Sequence, residues 1–184
     1  MSIVVILIFL SFYFEYFKKS PKTLKETTSL EKTNVNKKNS STYIDNINYV
    51  SSDTKGNKYQ ITAEESEIDI DNQDVMFLKN VIAYIFIKDS DTIKIVSDFG
   101  KYNSKNYDTI FSKNVIVTYP GHKITGDYMD FSLLNDLGTM SRNVIYTGKK
   151  NILYADMLKM KISTKDTKIF MNDSIKKVLI IGKN

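Results

Sequence analysis

A six-residue phrase occurs three times in this chain, and it limits the available folds more than any other feature. Phe77-Leu78-Lys79-Asn80-Val81-Ile82 reappears as Phe111-Ser112-Lys113-Asn114-Val115-Ile116 and as Met140-Ser141-Arg142-Asn143-Val144-Ile145. A second phrase keeps the same beat: Ile61-Thr62-Ala63-Glu64, Ile95-Val96-Ser97-Asp98, Ile124-Thr125-Gly126-Asp127 and Leu153-Tyr154-Ala155-Asp156. Its acidic residue advances in steps of 34, 29 and 29 residues. A step of this size is one supersecondary unit. Such a unit cannot bury its own apolar face, so neighbours must stack to share a core.

From Ile44 onward the units are written in strand residues, with local alternation broken by polar clusters. Turns are expected at 53–57, 69–74, 88–91, 103–108, 119–122, 135–138, 148–151 and 164–166. Gly56-Asn57 suits a hairpin because both residues tolerate positive φ. Two Pro and seven Gly are few for 184 residues, so Asn, Asp, Ser and Lys must make many of the turns. No segment after residue 43 carries an apolar stripe of 3.6-residue period.

Side-chain parity assigns faces. In the second phrase the apolar residue and the small residue (Ala63, Ser97, Gly126, Ala155) share one face, and the acidic residue points out. Ile68, Tyr102, Phe131 and Met160 stand four places after the acid and carry its parity. A bulge or bend must therefore return them inward. In the first phrase Phe77, Phe111 and Met140 share parity with Val81, Val115 and Val144. A bend at Asn, which accepts the left-handed region better than most residues, turns the intervening basic side chain out. These residues form one inner ladder, and Ile61, Ile95, Ile124 and Leu153 form another. The inner face is either an ordinary packed core, the commoner fate of apolar stripes, or in part a groove for something apolar. An antiparallel roll of this kind that stays open at its ends exposes edges able to recruit partners by strand addition.

Residues 1–17, MSIVVILIFLSFYFEYF, are apolar except for Ser2, Ser11 and Glu15. At about 1.5 Å per residue they span roughly 25 Å as a helix, short for a bilayer core but extendable by snorkelling of Lys18 and Lys19. Tyr13, Tyr16 and Phe17 stand where an interfacial aromatic belt belongs. No basic stretch precedes the run and no A-x-A-like site follows it, so a single transmembrane anchor is preferred to a cleaved signal. Residues 18–43 are polar and Lys-rich without hydrophobic period, as in a solvated tether. Seven Lys against Glu26 and Glu31 place the whole charge excess of +5 within 18–40. Residues 41–184 hold 19 basic and 18 acidic groups, which argues against a nucleic-acid-binding body.

Catalytic chemistry is hard to assemble from these residues. There is no Cys, and His122, in a Pro-Gly-His turn, is the one His. It has no partner set for zinc or a nucleophilic triad. The run 69–74 fails the EF-hand pattern, with Asp74 where Gly is needed and Asn80 where Glu is needed. No phosphate-binding glycine loop is present. Neither an enzyme nor a cofactor is expected.

One anchor, a polar tether and a β body of recurrent Asn-Val and Ile-x-small-Asp phrases resemble the LptC family, over nearly the whole chain. The wider likeness is to OstA-like β-jellyroll domains. The resemblance implies an open, twisted antiparallel β-jellyroll over 44–184, facing the periplasm from a single-pass inner-membrane anchor. Its apolar interior would hold the lipid A moiety of lipopolysaccharide. The implied groove residues are Ile47, Ile61, Phe77, Val81, Ile95, Phe111, Val115, Ile124, Met140, Val144 and Leu153, with Gly56 matching the family's first hairpin. The N-terminal edge would meet the permease and ATPase export complex. The C-terminal edge, at Val178, Leu179, Ile180 and Ile181, would meet a bridge protein of the LptA type. The Lys bias after residue 17 runs against this orientation under the positive-inside rule. The alternative function is an anchored docking module that uses its sheet edges and carries no lipid.

Overall fold

The computed structural model describes residues 25–26, 35–38, 41–52, 56–69, 71–173 and 175–183. All regular structure among them is β. The strands are β1 (Lys25–Glu26), β2 (Val35–Lys38), β3 (Ser41–Ser52), β4 (Lys58–Asp69), β5 (Val75–Phe86) and β6 (Ile93–Asn103). They continue as β7 (Asp108–Tyr119), β8 (His122–Ser132), β9 (Leu137–Thr147), β10 (Asn151–Lys161), β11 (Thr167–Phe170) and β12 (Leu179–Gly182). From β3 to β10 each strand pairs antiparallel with the next, so the body is one run of hairpins in a single twelve-stranded sheet. The described turns fall where Gly, Asn, Asp and Lys cluster in the sequence. Several are closed by the backbone, as in Val75 N to Asn72 O at 3.0 Å and Ser90 N to Ile87 O at 3.1 Å.

Both ends of the sheet split. β2 pairs with Ser41–Ile44 while β1 pairs with Ser51 and Ser52, two different halves of β3. At the other end β11 pairs with Met157–Met160 and β12 with Asn151–Tyr154 of β10. The stretch 18–43, read as a tether, thus supplies β1, β2 and the first residues of β3 to one edge. The apolar run 1–17 lies outside the described residues.

The split reflects a crease across the middle of β3 to β10. Positive φ recurs there on alternate strands, at Asn46, at Asn80, at Lys113 with Asn114, and at Arg142 with Asn143. The crease divides every long strand between two leaves. Leaf A contains Tyr49, Tyr59, Ile61, Ala83, Ile95 and Ile124, and is extended by β1 and β12. Leaf B contains Leu78, Tyr102, Thr109, Phe111 and Phe131, and is extended by β2 and β11. Tyr59 stacks on Phe131 with ring centroids 5.2 Å apart, and its hydroxyl lies 3.1 Å from Thr109 Oγ1. Tyr49 meets Tyr102 at 4.9 Å. These pairs stand three or four strands apart in the sheet, so they touch only because the sheet folds over on itself. The apolar faces of the two leaves form the core. The architecture is mainly β, consistent with a jellyroll.

Candidate functional site

The crease is built from the two recurrent phrases together. Asn80 Nδ2 donates to Glu64 at 2.6 Å, Asn114 Nδ2 to Asp98 at 2.7 Å, and Asn143 Nδ2 to Asp127 at 2.5 Å. A fourth acid, Asp156, accepts from the backbone N of Asn172 at 3.0 Å. Acid and Asn are sixteen residues apart in every case. Sequence reasoning measured each phrase against its own copies and missed this constant offset. It spans the leaf B hairpin, while the uneven steps of 34 and 29 residues arise from leaf A turns of different length. Asn suits the position twice over: it tolerates the left-handed backbone, and its amide reaches the neighbouring carboxylate.

The crease also returns the distal apolar residues inward. Glu64 and Asp127 are exposed, Asp98 and Asp156 half-buried, and beyond them Tyr102, Phe131 and Met160 are buried and Ile68 half-buried. In β7 and β9 the bend holds one extra residue, and the pairing register with both neighbours shifts by one there. Phe111 and Val115, and likewise Met140 and Val144, are therefore both buried. β5 lacks the extra residue and keeps its register with β4 and β6. Its inward pair is Leu78 and Val81, and Phe77 is 46% exposed on the outer face of leaf B, under the Lys101 ammonium. The expectation that Phe77 lines the interior is corrected. The signal was Leu78 itself, apolar where Ser112 and Ser141 stand in the other copies.

The remaining expected groove residues Ile47, Ile61, Val81, Ile95, Phe111, Val115, Ile124, Met140 and Val144 are all buried in the shared interior. Leu153 faces the same way between Tyr146 and Ile180 but is only half-buried. Its position exposes the plan of the interior. Leaf A and leaf B are offset, so each overhangs the other at one end. At the C-terminal end of leaf A the inner row Tyr146, Leu153 and Ile180 loses its cover, and Ile180 is 61% exposed. At the N-terminal end of leaf B the inner residues Thr42, Ile44, Ile68 and Met76 are half-buried.

Opposite the crease, Tyr59 of leaf A reaches Phe131 and Thr109 of leaf B in the core, and further contacts join the rims. Lys165 Nζ donates to Ser90 Oγ at 2.5 Å in exposed loops. Tyr119, in leaf A, bonds Thr167 of β11 and Tyr146. Burial, and then Tyr146, push its hydroxyl up to about 12, while Thr167 opposes the shift. His122 stacks on Tyr119 at 4.7 Å and its Nδ1 lies 2.5 Å from the Tyr146 hydroxyl. Among the described residues no group of three or more His, Asp or Glu side chains could hold a metal ion.

The expected partner edge is exposed at Leu179 (56%), Ile180 and Ile181 (45%), with Val178 half-buried just before β12. β12 pairs with β10 along one side only. A recess of about 340 Å³ beside it is lined by Ile145, Tyr154, Ala155, Met171 and Leu179, among others.

No helix among the described residues is long and apolar enough to cross a membrane. A search of curated proteins finds no match. The family model for lipopolysaccharide-assembly, LptC-related proteins matches residues 1–175. With β hairpins throughout the described part of that range, the chain belongs to the LptC family and is a component of lipopolysaccharide transport.

Proposed function

We propose that this chain receives lipopolysaccharide from the inner-membrane ABC transporter and passes it, acyl chains inward, to a periplasmic bridge protein of the LptA type. A single-pass anchor at residues 1–17 would hold the β body in the periplasm. The observation that carries this reading is the offset of the leaves. Among the described residues an apolar inner face is continuous across the strands and only partly covered at both ends, with Ile44 and Met76 half-buried on one side and, on the other, Leu153 half-buried and Ile180 exposed. A second jellyroll added to either edge would extend the interior without a polar break. No catalytic group is required, since ATP hydrolysis by a partner drives movement.

One observation favours the docking module instead. Between its ends the interior is filled by its own side chains, with Tyr59, Ile61, Val81, Ile95 and Phe111 fully buried. Lipid passage therefore requires the leaves to part opposite the crease, where Tyr59–Thr109, the Tyr59–Phe131 stack, Lys165–Ser90 and Tyr119–Thr167 are among the contacts to release.

Photo-crosslinking residues at Ile47, Phe111 and Leu153, with Thr139 on the outer face of leaf B as control, separate the two. Lipopolysaccharide adducts at the three inner positions, dependent on ATP, support carriage. Protein adducts alone at those positions would leave only docking.

A further inference from the structure

Each Asn of the crease ladder stands level with an acid on both neighbouring strands. Asn80 lies between Glu64 of β4 and Asp98 of β6, Asn114 between Asp98 and Asp127, and Asn143 between Asp127 and Asp156. Each amide bonds the acid on the strand before it in the chain, not the one after. The ladder is therefore out of step by one, and a member is left over at each end. At the C-terminal end this is Asp156, taken up by the backbone N of Asn172. At the N-terminal end it is Asn46, whose left-handed backbone matches that of Asn80, φ 54° against 52°. The acid level with it on β4, Glu64, is already held by Asn80. Asn46 is exposed and its side chain has no hydrogen-bond partner among the described residues. β2 pairs with residues 41–44 and β1 with 51–52, so among the described residues the far side of β3 is open over 45–50. A recess of about 310 Å³ lies there, lined by Asn46, Asn48, Ala63, Glu64 and Asn80 among others.

The residue before each Asn makes a second contact. Lys79 bonds Glu65 at 2.9 Å, Lys113 lies 5.0 Å over the Phe99 ring, and Arg142 lies 5.1 Å over Tyr128. Each of these touches the residue that follows the acid. On β3 the same place holds Asp45, half-buried and in no ion pair among the described residues. The edge thus offers an amide and a carboxylate where the inner strands offer an amide and a cation.

We propose that Asn46 and Asp45 select a partner strand laid antiparallel along β3, with Asp or Glu opposite Asn46 followed by Lys or Arg opposite Asp45. This rests on reading the N-terminal edge as the contact with the export complex, and adds the chemistry which that contact recognises. The partner's carboxylate would accept the Asn46 amide as Glu64 accepts that of Asn80, and its cation would meet Asp45. A second copy fits poorly. The crease acid on its last long strand is Asp156, already bonded to Asn172 and flanked by β11 and β12. The occupant is the terminal strand of a different β body.

The test titrates full-length Asn46→Asp protein against the purified permease–ATPase complex. The substitution keeps a residue that tolerates the left-handed backbone but sets a like charge against the partner's acid. Affinity should fall by about tenfold or more. The melting temperature of the free chain should stay within about 3 °C of the parent. Asn114→Asp, at a position bonded within the chain, should lower that temperature further. A photo-crosslinker at position 46 should map to a strand of the complex bearing adjacent acidic and basic residues. Replacing that acid by Asn should restore binding of the Asn46→Asp protein. Unchanged affinity, with a crosslinker at Val50 still capturing the complex, sinks the proposal and leaves the edge contact standing. No capture at either position removes the edge contact and the proposal with it. If Asn46→Asp destabilises the free chain and Glu31→Gln relieves the loss, the chain's own acid before β2 holds Asn46 and the proposal fails. Crosslinks between copies overturn it in favour of self-association.

Discussion

At the scale of single residues, the crease makes two demands, and Asn answers both. Ala at position 114 must adopt φ 51° without the amide that holds Asp98. Asn114→Ala should lower stability by about 1–2 kcal/mol, and Asn114→Gly by less, because Gly pays no steric penalty in the left-handed region. Urea midpoints of the two variants check the order, and a Gly variant weaker than Ala would contradict it. Gly126 faces a different constraint. A Cβ there would lie 2.8 Å from both Cγ and Sδ of Met140. Gly126→Val should cost about 1–3 kcal/mol by overpacking, and much of that should be recovered when Met140 is shortened to Ala. Tyr119 supplies a pH signature. Its folded-state pKa is raised to about 12 by burial, so the neutral phenol contributes stability present below pH 10 and lost as pH climbs toward 12. The melting temperature should fall over that window, less steeply in Tyr119→Phe.

At the scale of the element, one residue decides which way a strand faces. The three copies of the Asn-Val phrase look equivalent, and parity applied uniformly puts Phe77 inside with Phe111 and Met140. β7 and β9 carry two left-handed residues at the bend and β5 carries one, so β5 resumes its alternation a residue early and Phe77 turns out. Parity counting treats a bend as a fixed increment; the backbone sets the increment strand by strand. The turns were legible because Gly, Asn and Asp mark them locally. The short edge strands β1, β2, β11 and β12 were not legible as pairs, because their partners are chosen by the split ends of β3 and β10. For β12 the proposed bridge contact yields a direct expectation. Ile180→Lys should weaken binding of the bridge protein by tenfold or more in a pull-down titration, while the thermal stability of the domain stays close to that of the parent, since Ile180 is 61% exposed. Unchanged affinity would remove β12 as the docking edge.

At the scale of the whole molecule, function turns on whether the folded sheet opens. The crease side is tied at each leaf B hairpin by a bond from Asn to a carboxylate, while the opposite side is held by the buried Tyr59–Thr109 bond and Tyr59–Phe131 stack together with exposed loops and the Tyr119 cluster. A short thiol-to-thiol crosslinker between Ser90→Cys and Lys165→Cys would bridge that side, in a chain with no other thiol. If lipid passes between the leaves, the crosslink should reduce lipopolysaccharide export to background, and a cleavable linker should restore it on reduction. Export unaffected by the closed linker would show that the filled core stays shut.

Legible in the sequence were the turns between the hairpins, most of the inward Ile and Val ladders and the family resemblance. Each of these rests on local pattern: period-two alternation, turn chemistry, and phrases that repeat. Only the tertiary structure joined the two phrases, because the bond from Asn to acid crosses between neighbouring strands and depends on the turn that brings them level. The offset of the leaves and the partly covered inner rows at both ends also belong to the folded sheet. Twist accumulates over many strands, and no short stretch of sequence carries its sum.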